Sequence, residues 1–297
     1  MFVIKYKKIF FTISLLAVLA SVSAIFFFGL NFGIDFTGGS ILEVSYKPER
    51  PAVTDLRLAL DQSDFSASTI QPAGDSSVIF RLSSLTDAEK TKMLDVVSLN
   101  TYEIQEERFS SIGPTLSSEL ATKGVMAVVL VSLLIVLFIA FVFRGVSKPI
   151  NSWVYGLIAI VALLHDILIP VGIFTVLGYL YGIEIDALFL TALMTILGLS
   201  VNDTIVVFDR IRENLKRKIS EDFETVVGVS LNQTFMRSIN TSLTVLIVLL
   251  ALYFLGGTTT KEFSLVLIIG TIVGTYSSIF LASPLLVWWN NVSHKNS

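Results

Sequence analysis

Six stretches of the chain, Ile9–Leu30, Val125–Phe143, Trp153–Leu177, Ala187–Phe208, Phe235–Leu255 and Phe263–Trp288, are apolar enough to cross a bilayer, a crossing that takes about 20 helical residues. Between the first and the second the pattern changes. Ser40–Tyr46 alternates apolar and polar residues as a strand does, Thr54–Gln62 has helical spacing, and Ser68–Gln71 and Val78–Leu82 look extended around a Gly74-Asp75 turn. Thr86-Asp87-Ala88-Glu89 is a capping box that opens a helix to Ser98, and Thr101–Phe109 closes the segment as a strand. The order strand, helix, strand, strand, helix, strand is the ferredoxin-like motif. The expected fold class is an α-helical polytopic membrane protein with six transmembrane helices and one small α+β, ferredoxin-like extracytoplasmic domain. The expected division is a first helix at 1–32, the domain at 33–123, a five-helix bundle at 124–290 with a cytoplasmic loop at 209–234, and a tail at 291–297.

Composition agrees with that division. A charged share of 15% is well below the roughly 25% of a soluble domain, and about half of the charged residues fall between Asn31 and Lys123. A net charge of -3 leaves no basic footprint for nucleic acid. With no cysteine, disulfides, thiol nucleophiles and thiolate metal sites are excluded. Two histidines, His165 and His294, make a zinc cluster or a Ser-His-Asp triad improbable, and no Walker motif supports ATP hydrolysis. No enzyme and no bound cofactor are expected.

Orientation follows from the short loops, because cytoplasmic loops are richer in Lys and Arg. Lys5, Lys7 and Lys8, then Arg144 and Lys148, then Arg210, Arg212, Lys216, Arg217 and Lys218 alternate with the nearly uncharged Gly178–Ile185 and the Gly256–Lys261 turn. Both termini are therefore expected in the cytoplasm and the long first loop outside. Arg210–Glu224 reads as a charged loop helix, either simply solvated or meeting lipid headgroups or a partner.

Ionisable groups inside lipid cost about 2.5–3.5 kcal/mol each on insertion scales and mark pathways by default. Asp203 near the cytoplasmic end of span four and Arg237 near the start of span five fall at similar depth on consecutive antiparallel helices, so the two could pair, the alternative being an Arg237 that snorkels to the cytoplasmic interface. Arg237, Thr241 and Thr244 with Asn240 alongside, and Thr195, Ser200 and Asp203 with Asn202 beside them, predict an inward polar face. These are the parts of a proton relay in which Asp203 titrates, since arginine keeps its proton. H⁺ is the expected coupling ion; a carboxylate among hydroxyls and carbonyls suits Na⁺ as well. His165-Asp166 lies mid-span in the third helix, an accessory polar pair of open role. Gly270, Gly274, Ser278 and Ala282, each four apart, form a small-residue stripe for close helix packing. The glycines of Gly33–Gly39 lack the Lys-Ser/Thr of a phosphate loop and predict a tight turn instead.

Six segments taken together, GIDFTGG at Gly33–Gly39, IGPTLSSEL at Ile112–Leu120, LLHDILI at Leu163–Ile169, SVNDTIVVFDRIREN at Ser200–Asn214, RSINTSLT at Arg237–Thr244 and GTIVGTYSSIFLASPLL at Gly270–Leu286, closely resemble the SecF family of bacterial protein-export membrane subunits, in the resistance-nodulation-division superfamily. The resemblance implies a multi-pass inner-membrane protein that pairs with SecD beside the SecYEG channel and uses the proton gradient to promote late translocation or release of unfolded secretory proteins. It places the family's proton path on Asp203 and Arg237. The short lead-in and tail suggest a separate SecF chain, not a SecD–SecF fusion. Two other functions compete: a proton-driven efflux or lipid exporter of the same superfamily, which usually has about twelve spans and two large loops, and a non-transporting membrane scaffold.

The expected topology is tested by labelling intact cells with an impermeant thiol reagent. Cysteines introduced at Ser83 or Thr258 should react, and those at Ser147 or Ser220 should not; labelling at Ser220 from outside would overturn the six-span arrangement.

Overall fold

The computed structural model describes residues 2–65, 67–144 and 150–295, without the side chains of 68, 258, 259, 294 and 295. Ser147 and Lys148, and the imidazole of His294, lie outside the described residues. The chain divides into two compact units, residues 32–125 and residues 1–31 with 126–297.

In the smaller unit the strands are β1 (Gly39–Lys47), β2 (Ala67–Ala73), β3 (Ser77–Leu82) and β4 (Glu103–Ile112). They form one antiparallel sheet in the order β2-β3-β1-β4. Two helices, Val53–Asp61 and Asp87–Val97, follow β1 and β3, so the element order expected from the pattern is the one formed. Alternation makes the core: Leu42, Val44 and Tyr46 of β1 and Val78, Phe80 and Leu82 of β3 point to one face, against Leu56, Leu60, Met93 and Val97 of the helices. The capping box closes in both directions, with Thr86 bonding the Glu89 N–H and the Glu89 carboxylate accepting from the Thr86 N–H at 2.8 Å. Those bonds from the Thr86 backbone and hydroxyl hold Glu89 below the usual carboxylate range.

The glycine pair that ends GIDFTGG has a physical cause. After a four-residue helical turn, Ile34–Thr37, Gly38 and Gly39 take φ of +74° and +120°, which L side chains rarely adopt. A Cβ on Gly39 would also stand 2.6 Å from the Leu82 carbonyl oxygen. Beyond it, Ser40 and Ser111 hydroxyls bond across β1 and β4 at 2.8 Å, and between them they satisfy the Leu85 N–H and carbonyl.

Six helices among the described residues are long and apolar enough to cross a membrane: Lys7–Phe28, Pro114–Val142, Ser152–Tyr181, Ala187–Lys216, Phe223–Leu255 and Thr260–Ser293. We label them α1 to α6. Helices are the expected solution because every backbone N–H and C=O must be paired inside lipid. Pro114 opens α2, where its missing N–H is no loss. Helices α3 and α6 are the interior ones, with 56% of each apolar window buried against 6% for α2. The charged segment after span four is the continuation of α4 to Lys216 and the start of α5 at Phe223, with Asp222 capping the latter through its carboxylate. Its basic residues are largely spoken for. Arg210 and Arg217 pair with Glu213, and Lys7 reaches Glu224 at 3.0 Å.

A fragment spanning residues 33–113 should unfold cooperatively, and Gly39→Ala should destabilise it by about 1–3 kcal/mol in a thermal or urea melt. A fragment without a cooperative transition would contradict an independent core. In the same fragment Glu89 has a depressed folded pKa, so its contribution is present above the ordinary carboxylate range and is lost as pH falls through the lower folded value. The stability gap between wild type and Glu89→Gln should therefore close on acidification.

Candidate functional site

Where α3, α4 and α6 meet, the chain buries a carboxylate in the middle of the bundle. Asp166 is fully buried, halfway along α3. Its oxygens are held by three side chains: His165 Nδ1 at 2.9 Å, the Ser277 hydroxyl donating at 2.7 Å, and the Ser200 hydroxyl. Ser277 begins a π-helical turn, Ser277–Ala282, within α6, a distortion frequent at functional sites. Ser278, next along, sits 2.8 Å from the Thr204 hydroxyl. The spacing of Ser200 and Thr204, one turn apart on α4, is what puts both against α6.

The small-residue stripe explains how the helices approach closely enough. A Cβ on Gly270 would stand 2.1 Å from the Ile196 side chain, and one on Gly274 2.9 Å from Ser200. Gly270 and Gly274 thus accept α4 side chains, and Ser278 follows them with a hydroxyl bond to the Ser200 carbonyl at 3.3 Å.

Asp203 lies three residues past Ser200, about 4.5 Å along the axis, and is half-buried. Ser242 of α5 lines the same cavity as Asp203, and its hydroxyl bonds the Thr275 hydroxyl of α6 at 2.6 Å. Between these groups is a cavity of about 30 Å³, lined by Ser200, Asp203, Ser242, Thr271, Gly274 and Thr275 among others. Roughly 10–15 Å³ is enough for one water.

Two expectations about this region are corrected. Asp203 and Arg237 do not make an ion pair among the described residues; Arg237 bears on Asp203 only at Coulombic range. Nor do Arg237, Asn240 and Thr244 face the interior of the chain, for all three are exposed, as is Thr195; Asn202 and Thr241 are exposed too, but both line the cavity beside Asp203. The inward stripe of α5 is Ser230, Thr234, Ser238 and Ser242, offset by one residue, or about 100° around the helix. Polar periodicity did not choose between the two faces, because Thr241 and Thr244 satisfy their hydroxyls on their own helix, at the Arg237 and Asn240 carbonyls (2.9 and 2.8 Å). Ser242, Thr275, Thr271 and Ser277 were not singled out by the sequence, although Thr271, Thr275 and Ser278 recur at helical spacing beside the glycine stripe.

Fold and site together define a class: a six-helix membrane protein with a ferredoxin-like domain inserted after its first span and polar groups clustered inside and along the bundle. Comparison with known sequences narrows it. Residues 92–292 match the family "Protein export membrane protein SecD/SecF, C-terminal", and residues 23–49 match the "SecD/SecF GG Motif". The chain belongs to the SecD/SecF family. It is 45% identical over 302 residues to the protein translocase subunit SecF of Thermobaculum terrenum, covering 97% of this chain and 94% of that one. To the protein translocase subunit SecDF of Thermus thermophilus it is 37% identical over 283 residues, covering 93% of this chain and 37% of the longer relative. The crystal structure of SecDF from that genus, described as a translocon-associated membrane protein, superposes with a TM-score of 0.82 at 33% identity, over 97% of this chain and 38% of the other.

Gly270→Ala should lower the thermal stability of the detergent-solubilised chain by an amount in the range of about 1–3 kcal/mol for overpacking, and Ile196→Ala in the same chain should recover part of the loss. Equal losses with and without Ile196→Ala would place the stripe's role elsewhere.

Proposed function

We propose that the chain acts in Sec protein export as the SecF partner of SecD, beside the SecYEG channel, using the proton gradient to promote late translocation or release of unfolded secretory proteins. The observation that carries this reading is the exposed polar face of α4 and α5. Asn202, Arg237, Asn240, Thr241 and Thr244 are exposed and Asp203 is half-buried within helices that cross the membrane. A cation and an acid facing hydrocarbon would cost several kcal/mol, so a second polar bundle covering this face is the economical arrangement. The fused SecDF relative, of which this chain matches about a third, supports SecD as the source of that bundle. By the loop charges, both termini lie in the cytoplasm and the ferredoxin-like domain on the outer side of a bacterial inner membrane.

Within that covered face Asp203 is the member that exchanges a proton. Without it, the carboxylate attracts the Arg237 guanidinium; with it, the attraction is largely removed, and the helices bearing the two groups gain a second arrangement. A potential of 100 mV is worth about 2.3 kcal/mol per charge moved, enough to bias such a pair of states. The same carboxylate, with hydroxyls near it, admits Na⁺ as an alternative coupling ion.

The test is export into inverted membrane vesicles with and without a protonophore. Asp203→Asn should export like uncoupled wild type while still inserting and recovering SecD. Arg237→Lys keeps charge but loses the planar fork and should lose part of the stimulation; Arg237→Ala leaves the carboxylate without a counter-charge and should lose more. Full gradient-dependent stimulation by Asp203→Asn would leave the scaffold reading in its place.

A further inference from the structure

Asp166 is used by nothing in the reading above, yet it is better provided with hydrogen-bonding partners than Asp203. A buried carboxylate with three such partners either serves as a fixed knot between helices or holds a proton. Three observations favour the second role. First, Ser200 belongs to both sites: its hydroxyl bonds Asp166 and it lines the 30 Å³ cavity that Asp203 also lines. Second, the lining of that cavity includes Thr271, whose buried hydroxyl has no hydrogen-bond partner among the described residues. Such a group, with Ser242 and Thr275 at 2.6 Å from each other, gives one water the several polar contacts it needs. Third, His165 is 3% exposed, its Nδ1 is committed to Asp166, and its buried Nε2 is without a partner among the described residues. A structural knot has no need of that second, unused ring nitrogen.

We propose that Asp166, with His165, Ser200 and Ser277, forms a second proton-holding site one step deeper in the bundle, exchanging its proton with Asp203 through the Ser200 hydroxyl and one water. This rests on the reading of Asp203 as the proton-exchanging residue. In the inward step the O–H bond of protonated Asp203 breaks toward the water, the water gives one of its own hydrogens to Ser200, and Ser200 gives its hydrogen to Asp166. One proton has moved, Asp203 is a carboxylate and Asp166 a neutral acid. His165 Nδ1 positions the receiving carboxylate throughout. The titratable groups around Asp166 are few: His165 on α3 itself, Tyr276 on α6, whose ring stacks on the imidazole at 6.0 Å, and Asp203 on α4 across the cavity, with Arg237 of α5 beyond it. Helix α1 contributes the neutral Ser14, which bonds the Tyr276 hydroxyl at 3.4 Å.

Infrared difference spectra of the full-length chain in lipid vesicles, followed after a pH jump, test this without any export step. Wild type should show two protonated-carboxyl bands from the bundle, one removed by Asp203→Asn and the other by Asp166→Asn. In Ser200→Ala both bands should remain, with the Asp166 band rising at least about a hundredfold later than in wild type, the low side of what a positioned proton-transfer group contributes. If Asp166→Asn fails to insert, the comparison of wild type with Ser200→Ala carries the test alone. A single band that Asp203→Asn abolishes overturns the second site and leaves the reading of Asp203 intact, as does a Ser200→Ala chain whose bands rise together as in wild type. Gradient-dependent export by Asp203→Asn, by contrast, removes the reading beneath both.

Discussion

Inside hydrocarbon a polar group must find its partner within the protein, and that single constraint organises the membrane unit. Lipid supplies no hydrogen bond, so a buried hydroxyl or carboxylate turns to its own helix or to a neighbouring one at bonding distance. The seam between α3, α4 and α6 satisfies it around Asp166. Ser200 and Ser277 reach the carboxylate where Gly270 and Gly274, lacking side chains of their own, leave room on α6 for Ile196 and Ser200 of α4. The packing stripe and the polar cluster are therefore one feature: glycine sets the distance, and serine uses it.

The same constraint separates two sets of polar residues. Those around the Asp166 carboxylate bond to one another within the chain and hold three helices together. Those of the outer face of α4 and α5, with Arg237 exposed and Asp203 half-buried, are not closed within it and call for another polar surface. A protein that needed only to span the membrane would carry the first set and not the second. Asp203, with Asn202 and Thr241 beside it, lines the cavity and borders the outer face, and so links the two sets.

Much of this was legible in the sequence for local reasons. The spans follow from uninterrupted apolar length, and the ferredoxin-like order from alternation, a capping box whose two halves are three residues apart, and a glycine pair that the backbone angles at Gly38 and Gly39 require. What was not legible is non-local. Two of the three partners of Asp166, Ser200 and Ser277, lie 34 and 111 residues away in the chain, so a mid-span acid beside His165 could be flagged but not placed at a seam. The facing of α5 was misread by one residue, because a threonine bonded to its own helix carries the same polar signature whether it points in or out. The π-helical turn that carries Ser277 has no spacing that announces it.

If protons cross at the α4–α5 face during export, as proposed, they do so in step with translocation. The direct measurement is proton flux: vesicles containing this chain, SecD and the SecYEG channel, with a pH-sensitive dye reporting proton release while a secretory chain is being translocated under an imposed gradient. Proton flow above the leak rate should begin with translocation, stop when the chain is released and be absent when Asp203 is replaced by asparagine. Translocation stimulated by the gradient with no accompanying proton flow would contradict it.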